Sequence, residues 1–250
     1  MKMGRTLAMT ATACLAATAG VAQAPTPPFV LATYYRCDDS RQTRADTLFK
    51  QVIAPLLDKQ IKAGHLTNYA FSSHRIGGAW RRLESMTAPS LEHLMAARDA
   101  FQDELDKTNP KGSAEFDAIC GSHDDYIWQR VLTSPPAPPA PTSFTYSRYL
   151  NCDQSKEGEA DMIMGTEYAP MMNKHLAAGH ITSWGYLTHN MGGPIRRILT
   201  WTAPTALSAL SAEDMISGDM ATSGLYAAFA GACSSHSDYL WATEVTSSTR

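Results

Sequence analysis

The sequence predicts an α+β protein made of two copies of one compact module. Three observations lead to this fold class: a long internal repeat, a pattern of short strands and helices that fits inside each copy, and a proline-rich segment between the copies. The repeat is first visible where Cys37-Asp38 recurs as Cys152-Asp153, and its matches keep one register over most of the module. We therefore expect two domains with the same fold.

Turn-forming and polar residues dominate the repeat. At the constant offset that carries Cys37 onto Cys152, the matched segments of the first copy are Ala54-Pro55, Ala63-Gly64-His65, His74, Gly77-Gly78, Arg81-Arg82 and Thr87-Ala88-Pro89. Two positions are then lost, and the segment from Cys120 to Trp128 matches that from Cys233 to Trp241. So many matches in one register indicate a duplication.

The first two dozen residues are typical of a secretory signal. Lys2 and Arg5 precede an apolar stretch, and Ala22-Gln23-Ala24 forms a small-x-small cleavage site. Proline at the density seen between the modules favours an extended polyproline II spacer. The expected parts are a signal peptide at 1–24, a first module at 25–134, a linker at 135–141 and a second module at 142–250.

Composition excludes several classes of partner. The formal net charge is −3 and no basic tract is present, so nucleic acid and anionic membrane surfaces are poor candidates. Charge, glycine or proline interrupts every later apolar run, so we expect no membrane span. The sequence therefore predicts an exported protein of the periplasm or the extracellular medium, and it leaves the oligomeric state open.

Within one module the hydrophobic pattern alternates between strands and helices. A kink is expected at Pro55 in the first helix, and Gly77-Gly78 is typical of a tight turn. The expected elements are a strand at 29–37, a helix at 43–63, strands at 65–74 and 80–86, a helix that opens at 87–90, a short helix at 116–120 and a strand at 126–133. This βαββαβ order is ferredoxin-like, with the sheet order 4-1-3-2.

That sheet order predicts two disulfide bonds. It places the end of strand 1 beside the start of strand 4, where Cys37 and Cys120 lie, and Cys152 and Cys233 repeat the arrangement. An oxidising compartment agrees with the pairs Cys37–Cys120 and Cys152–Cys233. A structural metal site is the alternative, but neither module has the Cys-x-x-Cys pair typical of one.

A sheet with helices on one face needs a cover for the other face, and two copies in one chain can cover each other as a pseudo-twofold barrel. In this arrangement the sequence resembles the dimeric α/β-barrel superfamily, with its NIPSNAP-like, EthD-like and antibiotic-biosynthesis-monooxygenase-like branches. The resemblance covers both modules in element order and assigns no branch. It implies a space between the sheets that often holds a small hydrophobic ligand, and in a minority of branches haem.

Repeated polar residues should gather at one edge of each sheet. The ends of strands 1 and 2 and the starts of strands 3 and 4 share this edge, which carries His74, Arg81, Arg82, His123, Tyr126 and the matching His189, Arg196, Arg197, His236 and Tyr239. His74, His189, Arg81 and Arg196 are candidate catalytic residues, as bases or oxyanion partners. The histidines could equally stabilise the glycine turns.

Consecutive arginines in a strand point to opposite faces. One member of each pair would then face the space between the sheets, where a guanidinium requires a carboxylate or an anionic ligand. Arg82 and Arg197 are the candidate ligand-binding members. Pairing of the arginines with local acids such as Asp38 or Asp125, which would fix the hairpin, is the competing interpretation.

Aromatic residues alternate on strand 2 and could line a pocket. These candidates are Tyr69 and Phe71 in the first copy and Trp184 and Tyr186 in the second; packing in the core is the alternative. The sequence shows no catalytic triad, phosphate loop or zinc-protease motif, so it gives no support for a cofactor or a metal.

Three functions follow as hypotheses. The first is binding of a small, partly apolar ligand with an anionic or carbonyl group between or beside the sheets. The second is a cofactor-independent enzyme of the monooxygenase or isomerase kind. The third is a structural or interaction protein in which the polar edge only stabilises the hairpin.

Overall fold

The computed structural model describes residues 26–135 and 143–247. The expected signal peptide and most of the expected linker lie outside these ranges. The strands are β1 (Phe29–Arg36), β2 (Asn68–Ile76), β3 (Arg82–Ala88), β4 (Ser122–Thr133), β5 (Phe144–Asn151), β6 (Ser183–Met191), β7 (Arg197–Ala203) and β8 (Ser235–Thr246). The helices are α1 (Gln42–Leu48), α2 (Ala54–Lys62), α3 (Leu91–Thr108), α4 (Pro110–Ile119), α5 (Glu157–Ile163), α6 (Ala169–Ala177), α7 (Ala206–Thr222) and α8 (Tyr226–Ala232).

The strands form one closed antiparallel barrel. Its order is β1-β3-β2-β8-β5-β7-β6-β4, so each half contributes four neighbouring strands in the expected order 4-1-3-2. The two halves are joined at both edges, by pairing of β2 with β8 and of β4 with β6. Closure pairs each of the eight described strands on both sides, and it brings the inner faces of the two sheets together around one interior.

The first helix of each half contains a π-helical turn where the sequence predicts a kink. Phe49–Ile53 and Met164–Tyr168 are π-helical, and each turn ends just before the repeated Ala-Pro pair. The Ala54 N–H donates to the carbonyl of Phe49, five residues back. Because Pro55 has no N–H for an α-helical bond, the wider turn changes the local pairing instead of stopping the helix.

Each half has its own core between its sheet and its helices. In the first half, Phe49 of the π-helical turn stacks on Phe71 of β2 at 3.9 Å between ring centroids. In the second half, Trp201 of β7 stacks on Tyr146 of β5 at 4.4 Å. Disulfide bonds link Cys37 to Cys120 and Cys152 to Cys233, the pairs expected from the sheet order.

Element boundaries differ from expectation by a few residues. β2 and β3 begin and end later than predicted, and Thr87 and Ala88 close β3 instead of opening the helix. Ser90 is the N-cap of α3, because its hydroxyl accepts the N–H of His93. In the described part of the chain, no helix is long and apolar enough to cross a membrane.

Candidate functional site

The repeated polar residues lie together at one end of the barrel, beside the two glycine hairpins. The His74 N–H donates to the Arg81 carbonyl at 3.0 Å, and His189 N–H bonds Arg196 at the same distance. The structure therefore groups the residues that the sequence assigns to one edge. Their partners decide whether any of them is available to a ligand.

Arg82 and Arg197, the predicted ligand-binding arginines, lie on the outer face of the barrel under the helices. Arg82 is buried and forms a bidentate pair with Asp46 of the first helix, at 2.5 and 2.9 Å. Arg197 pairs with Asp161 in the same way, at 2.7 and 2.8 Å. Both charges are neutralised within the protein. This placement corrects their expected role, because a buried Arg with two carboxylate bonds has no free edge for a ligand.

Arg81 and Arg196 are also paired with acids. Arg81 Nε donates to Asp39 at 2.9 Å and its Nη1 donates to the Gly78 carbonyl at 2.8 Å. Arg196 Nε donates to Glu157 at 2.5 Å, and its Nη1 donates to His189 Nδ1 at 2.8 Å. The sequence expects pairing with local acids as an alternative, and the acids in the structure are Asp39 and Glu157 instead of Asp38 and Asp125.

His74 and His189 pack against aromatic rings of the opposite half. His74 makes edge contacts with Tyr239 and Trp241 at 5.9 and 6.1 Å, and His189 makes the matching contacts with Tyr126 and Trp128. Burial, and then the adjacent arginine, lowers the pKa of each imidazole. Nε2 of each histidine is buried without a hydrogen bond. These contacts join the two halves.

The predicted pocket-lining aromatics lie on the helix side of the sheet. Tyr69 and Phe71 belong to the core of the first half, and the Tyr69 hydroxyl donates to Asp58 of α2 at 2.7 Å. Tyr186 donates to Asp161 at 2.9 Å, and Trp184 Nε1 donates to Asn173 of α6 at 2.9 Å. Trp184 also lines the barrel interior. Tyr69, Phe71 and Tyr186 pack in the cores under the helices, and the inward residues of β2 and β6 include the small residues Ala70, Ser72 and Gly185.

Aromatic side chains fill the barrel interior at the hairpin end. Trp80 stacks between Tyr34 and Tyr239, at 4.3 and 4.9 Å between ring centroids. Tyr126 stacks on Trp128 at 5.0 Å, and Tyr239 stacks on Trp241 at 5.2 Å. This cluster fills the barrel interior beneath the polar edge.

The other end of the barrel contains a cavity of about 510 Å³. Residues from all eight strands line it, and it reaches the surface at the exposed residues Asn68 and Thr133. Its floor is formed by Tyr34, Trp128, Tyr149 and Trp241. Serine and threonine make up about half of its lining, including Ser72, Ser85, Thr145, Ser147, Thr200 and Thr243. The cavity thus combines an aromatic floor with walls that can donate and accept hydrogen bonds.

Arg130 is the one charged residue among the described residues that line this cavity. It projects inward from β4, two positions after Trp128. Its Nε is buried without a hydrogen bond, and its side chain forms no ion pair with any described residue. Burial lowers the pKa of the Arg130 guanidinium, yet an arginine remains protonated at neutral pH. An uncompensated guanidinium in a cavity is a candidate anion site.

The hydrogen bond between a tryptophan indole and a tyrosine hydroxyl near Arg130 differs between the halves. Trp241 Nε1 donates to the Tyr149 hydroxyl at 3.2 Å. The matching Trp128 Nε1 is buried with no hydrogen-bond partner, although the Tyr34 hydroxyl is close enough to interact with it. Burial raises the pKa of Tyr34 and of Tyr149, so both phenols stay protonated and can donate. The indole that forms the weaker contact lies on the wall formed by β4, as Arg130 does.

The comparison of the two halves does not identify Arg130, because Arg130 lies just beyond the last residue that matches between them. The match between the halves ends at Trp128 and Trp241, and two positions later the first half has Arg130 where the second half has Thr243. The inward series Tyr126, Trp128, Arg130 on β4 contains the signal, because residues two apart share a face. Among the described residues, no group of three histidine, cysteine, aspartate or glutamate side chains is placed to hold a metal ion.

Two four-stranded sheets joined into one barrel, with the helices outside, are the dimeric α/β-barrel fold within a single chain. The resemblance seen in the sequence is thus confirmed for the fold. Solved structures with this fold include a "putative monooxygenase" from Lactobacillus acidophilus NCFM, which is 8% identical, with 88% of this chain and 95% of that chain covered and a TM-score of 0.57.

Two further solved structures are similar. An anthrone oxidase-like protein is 14% identical, with 88% and 92% of the two chains covered and a TM-score of 0.57. Chlorite dismutase from Candidatus Nitrospira defluvii, in complex with imidazole, is 8% identical, with the same coverage and a TM-score of 0.54. No protein-family model matches the sequence, and the search of curated proteins gave no match. The likeness at these identities is one of fold.

Proposed function

We propose that this protein binds a small, partly apolar ligand with an anionic or carbonyl group inside the barrel. The observation that carries the proposal is the Arg130 guanidinium, which forms no ion pair with the described residues, in a cavity that all eight strands enclose. The binding place therefore differs from the polar edge that the sequence favours. It lies at the opposite end of the same barrel.

The size and lining of the cavity support this function. Small-molecule sites usually have volumes of roughly 300–1,000 Å³ and combine apolar walls with a few placed polar groups. A cavity of about 510 Å³ is within that range. Trp128 and Trp241 on the floor can hold the apolar body of a ligand, and the Ser and Thr hydroxyls can bind its polar substituents.

An enzyme of the cofactor-independent monooxygenase or isomerase kind is the second hypothesis. The names of two similar structures agree with it. The residues proposed for that chemistry, His74, His189, Arg81 and Arg196, do not line the cavity. Binding is therefore the function that the geometry supports better.

We further propose that the two halves are duplicated ferredoxin-like modules, divided at residues 134 and 142 as the sequence predicts. The repeated residues occupy matching positions, and both halves have the same strand order. The two disulfide bonds are typical of an oxidising compartment, which supports export of the protein.

A probe with an aromatic body and one anionic group tests the binding function. We expect 8-anilinonaphthalene-1-sulfonate to bind the folded protein at one site per chain, measured by the rise in its fluorescence and by calorimetry. Ala70→Phe places a large ring at an inward position of β2 and should abolish this binding. Thr243→Phe places a ring in the cavity from β8 and should also abolish binding. Using both of these filled variants separates loss of the cavity from a folding defect in one of them.

The matched control is Ala114→Phe, an equal change at an exposed position of α4. It should bind the probe as the unmodified protein does. Native circular dichroism and a cooperative melt show that each variant is folded. Binding that survives in both filled variants, or no binding by the unmodified protein, would contradict a ligand site in the barrel and favour the structural hypothesis.

A further inference from the structure

We infer that the ligand is a monocarboxylate and that its carboxylate binds Arg130 on the first-half wall of the cavity. This inference rests on the proposed function, because it assigns a chemical class and an orientation to the ligand of that site. It starts from an asymmetry between two otherwise matching walls.

The asymmetry lies on β4 and β8, the equivalent strands of the two halves. Trp128 and Trp241 match, but the next inward residues are Arg130 and Thr243. Thr243 is neutral, and its hydroxyl is 3.1 Å from the Ser143 hydroxyl. Among the described residues, the Arg130 Nε has no hydrogen-bond partner. The positive charge therefore lies on one wall, so a bound ligand should have one orientation.

The single positive charge in the described lining of the cavity favours a ligand with a single negative charge. Within the described lining, Arg130 is not accompanied by a second cation or by an acid. A monoanion neutralises it, whereas a dianion such as a phosphate monoester would leave one negative charge uncompensated in a partly buried site. The planar guanidinium matches the two oxygens of a carboxylate in a bidentate geometry.

The remaining lining describes the rest of the ligand. The opposite wall presents hydroxyl groups, among them Thr145, Ser147 and Thr200, which suit hydroxyl or carbonyl substituents. The aromatic floor suits a ring or a short apolar chain. We therefore expect an aromatic or branched carboxylic acid that carries hydroxyl or carbonyl groups.

The test compares two probes of the same shape, naphthalene-2-carboxylate and naphthalene-2-carboxamide. Binding is measured at pH 7 by calorimetry and by quenching of tryptophan fluorescence, since Trp128 and Trp241 line the cavity. We expect the unmodified protein to bind the carboxylate at least about tenfold more tightly, in line with a hydrogen bond to a charged group. Arg130→Met should remove this preference and keep the binding of the carboxamide.

Arg75→Met is the control, because Arg75 is an exposed arginine of β2 that lies outside the cavity. It should keep the preference for the carboxylate. A second readout is stability without ligand: Arg130→Met should unfold at the same urea concentration as the unmodified protein or at a higher one. An arginine with a purely structural role would instead make the variant less stable.

The outcomes separate the two proposals. If both probes bind equally well to the unmodified protein, or if Arg130→Met keeps the preference, the carboxylate assignment is wrong while cavity binding stands. If neither probe binds and the filled variants behave like the unmodified protein with the sulfonate probe, the proposed function itself is wrong.

Discussion

Three arginine environments in one barrel show how position determines the role of a side chain. Arg82 is buried and neutralised by Asp46, and Arg81 is partly exposed and paired with Asp39. Arg130 has no acid at all among the described residues. Breaking a buried pair costs about 3–5 kcal/mol, whereas an exposed pair contributes about 1 kcal/mol or less. Arg82 therefore stabilises the fold, and Arg130 is the arginine of these three to which we assign ligand binding.

Glu84 is a buried acid that the second half lacks. It lies on the outer face of β3 and accepts the Tyr35 hydroxyl at 2.9 Å, whereas the matching position is Leu199. Burial raises the pKa of this carboxyl from 4.5 to about 7. In the folded protein it thus stays protonated at pH values where the unfolded chain is ionised.

This difference predicts how stability depends on pH. Below pH 4.5 Glu84 is protonated in both states, and as the pH rises to about 7 its contribution falls by roughly 3 kcal/mol. Relative to the unmodified protein, Glu84→Gln should therefore gain free energy of unfolding between pH 4.5 and 7 and level off above that range. Urea titrations across this range measure the difference.

Glu92→Gln, at an exposed position of α3, provides the control for Glu84→Gln. It should show no comparable rise. A Glu84→Gln difference that stays flat with pH would mean that the Glu84 carboxyl ionises in the folded state as it does in the unfolded chain.

At the residue scale, the alternation of residue types identifies the two faces of a strand, but it does not show which face points into the barrel. Tyr69 and Phe71 alternate with Ala70 and Ser72 on β2, and both faces of this strand are covered. A period of two separates the sets without saying which set faces the helices. Larger apolar residues pack against the helices here, and small ones leave the space that becomes the cavity.

At the scale of elements, the glycine hairpins connect the halves. Gly77 has φ +138°, and a Cβ there would lie 2.6 Å from the Tyr239 ring of the other half. A Cβ on Gly78 would overlap the Tyr239 hydroxyl, and Gly193 has the same relation to Tyr126. The repeat of these residues thus reflects two equal contacts between the halves. The sequence shows the repeat, but only the closed barrel shows that each tyrosine meets the hairpin of the other copy.

Gly78→Ala should therefore destabilise the protein by about 1–3 kcal/mol, the usual cost of overpacking a well-packed site. Gly158→Ala is the opposite case, because Gly158 lies in α5 and a Cβ there would meet no described atom within 4 Å beyond its chain neighbours and its own helix backbone. It should stabilise the protein by about 0.5–1 kcal/mol, since alanine is more favourable than glycine within a helix. Thermal and urea unfolding compare the two variants. Equal effects would show that the Tyr239 contact does not constrain the hairpin.

At the scale of the whole molecule, the cavity exists only when both halves are folded together. β2 pairs with β8 and β4 pairs with β6, and the aromatic cluster at the filled end includes Tyr34 and Tyr149 from opposite halves. Neither half alone encloses the site. The element order could be predicted from one module, whereas the cavity and Arg130 could not, because they depend on how the two sheets meet.

Such mutual closure predicts that the halves unfold as one unit. Ile216 of α7 is fully buried in the core of the second half, so Ile216→Ala should cost about 2–5 kcal/mol. If unfolding is cooperative, the amides of β1 in the first half should exchange with deuterium at least about 30-fold faster, the factor that corresponds to the lower limit of this loss. Leu207→Ala, at an exposed position of the same helix, should leave that exchange unchanged. Faster exchange confined to β5 to β8 would instead show two domains that fold independently, in which case the cavity could open without global unfolding.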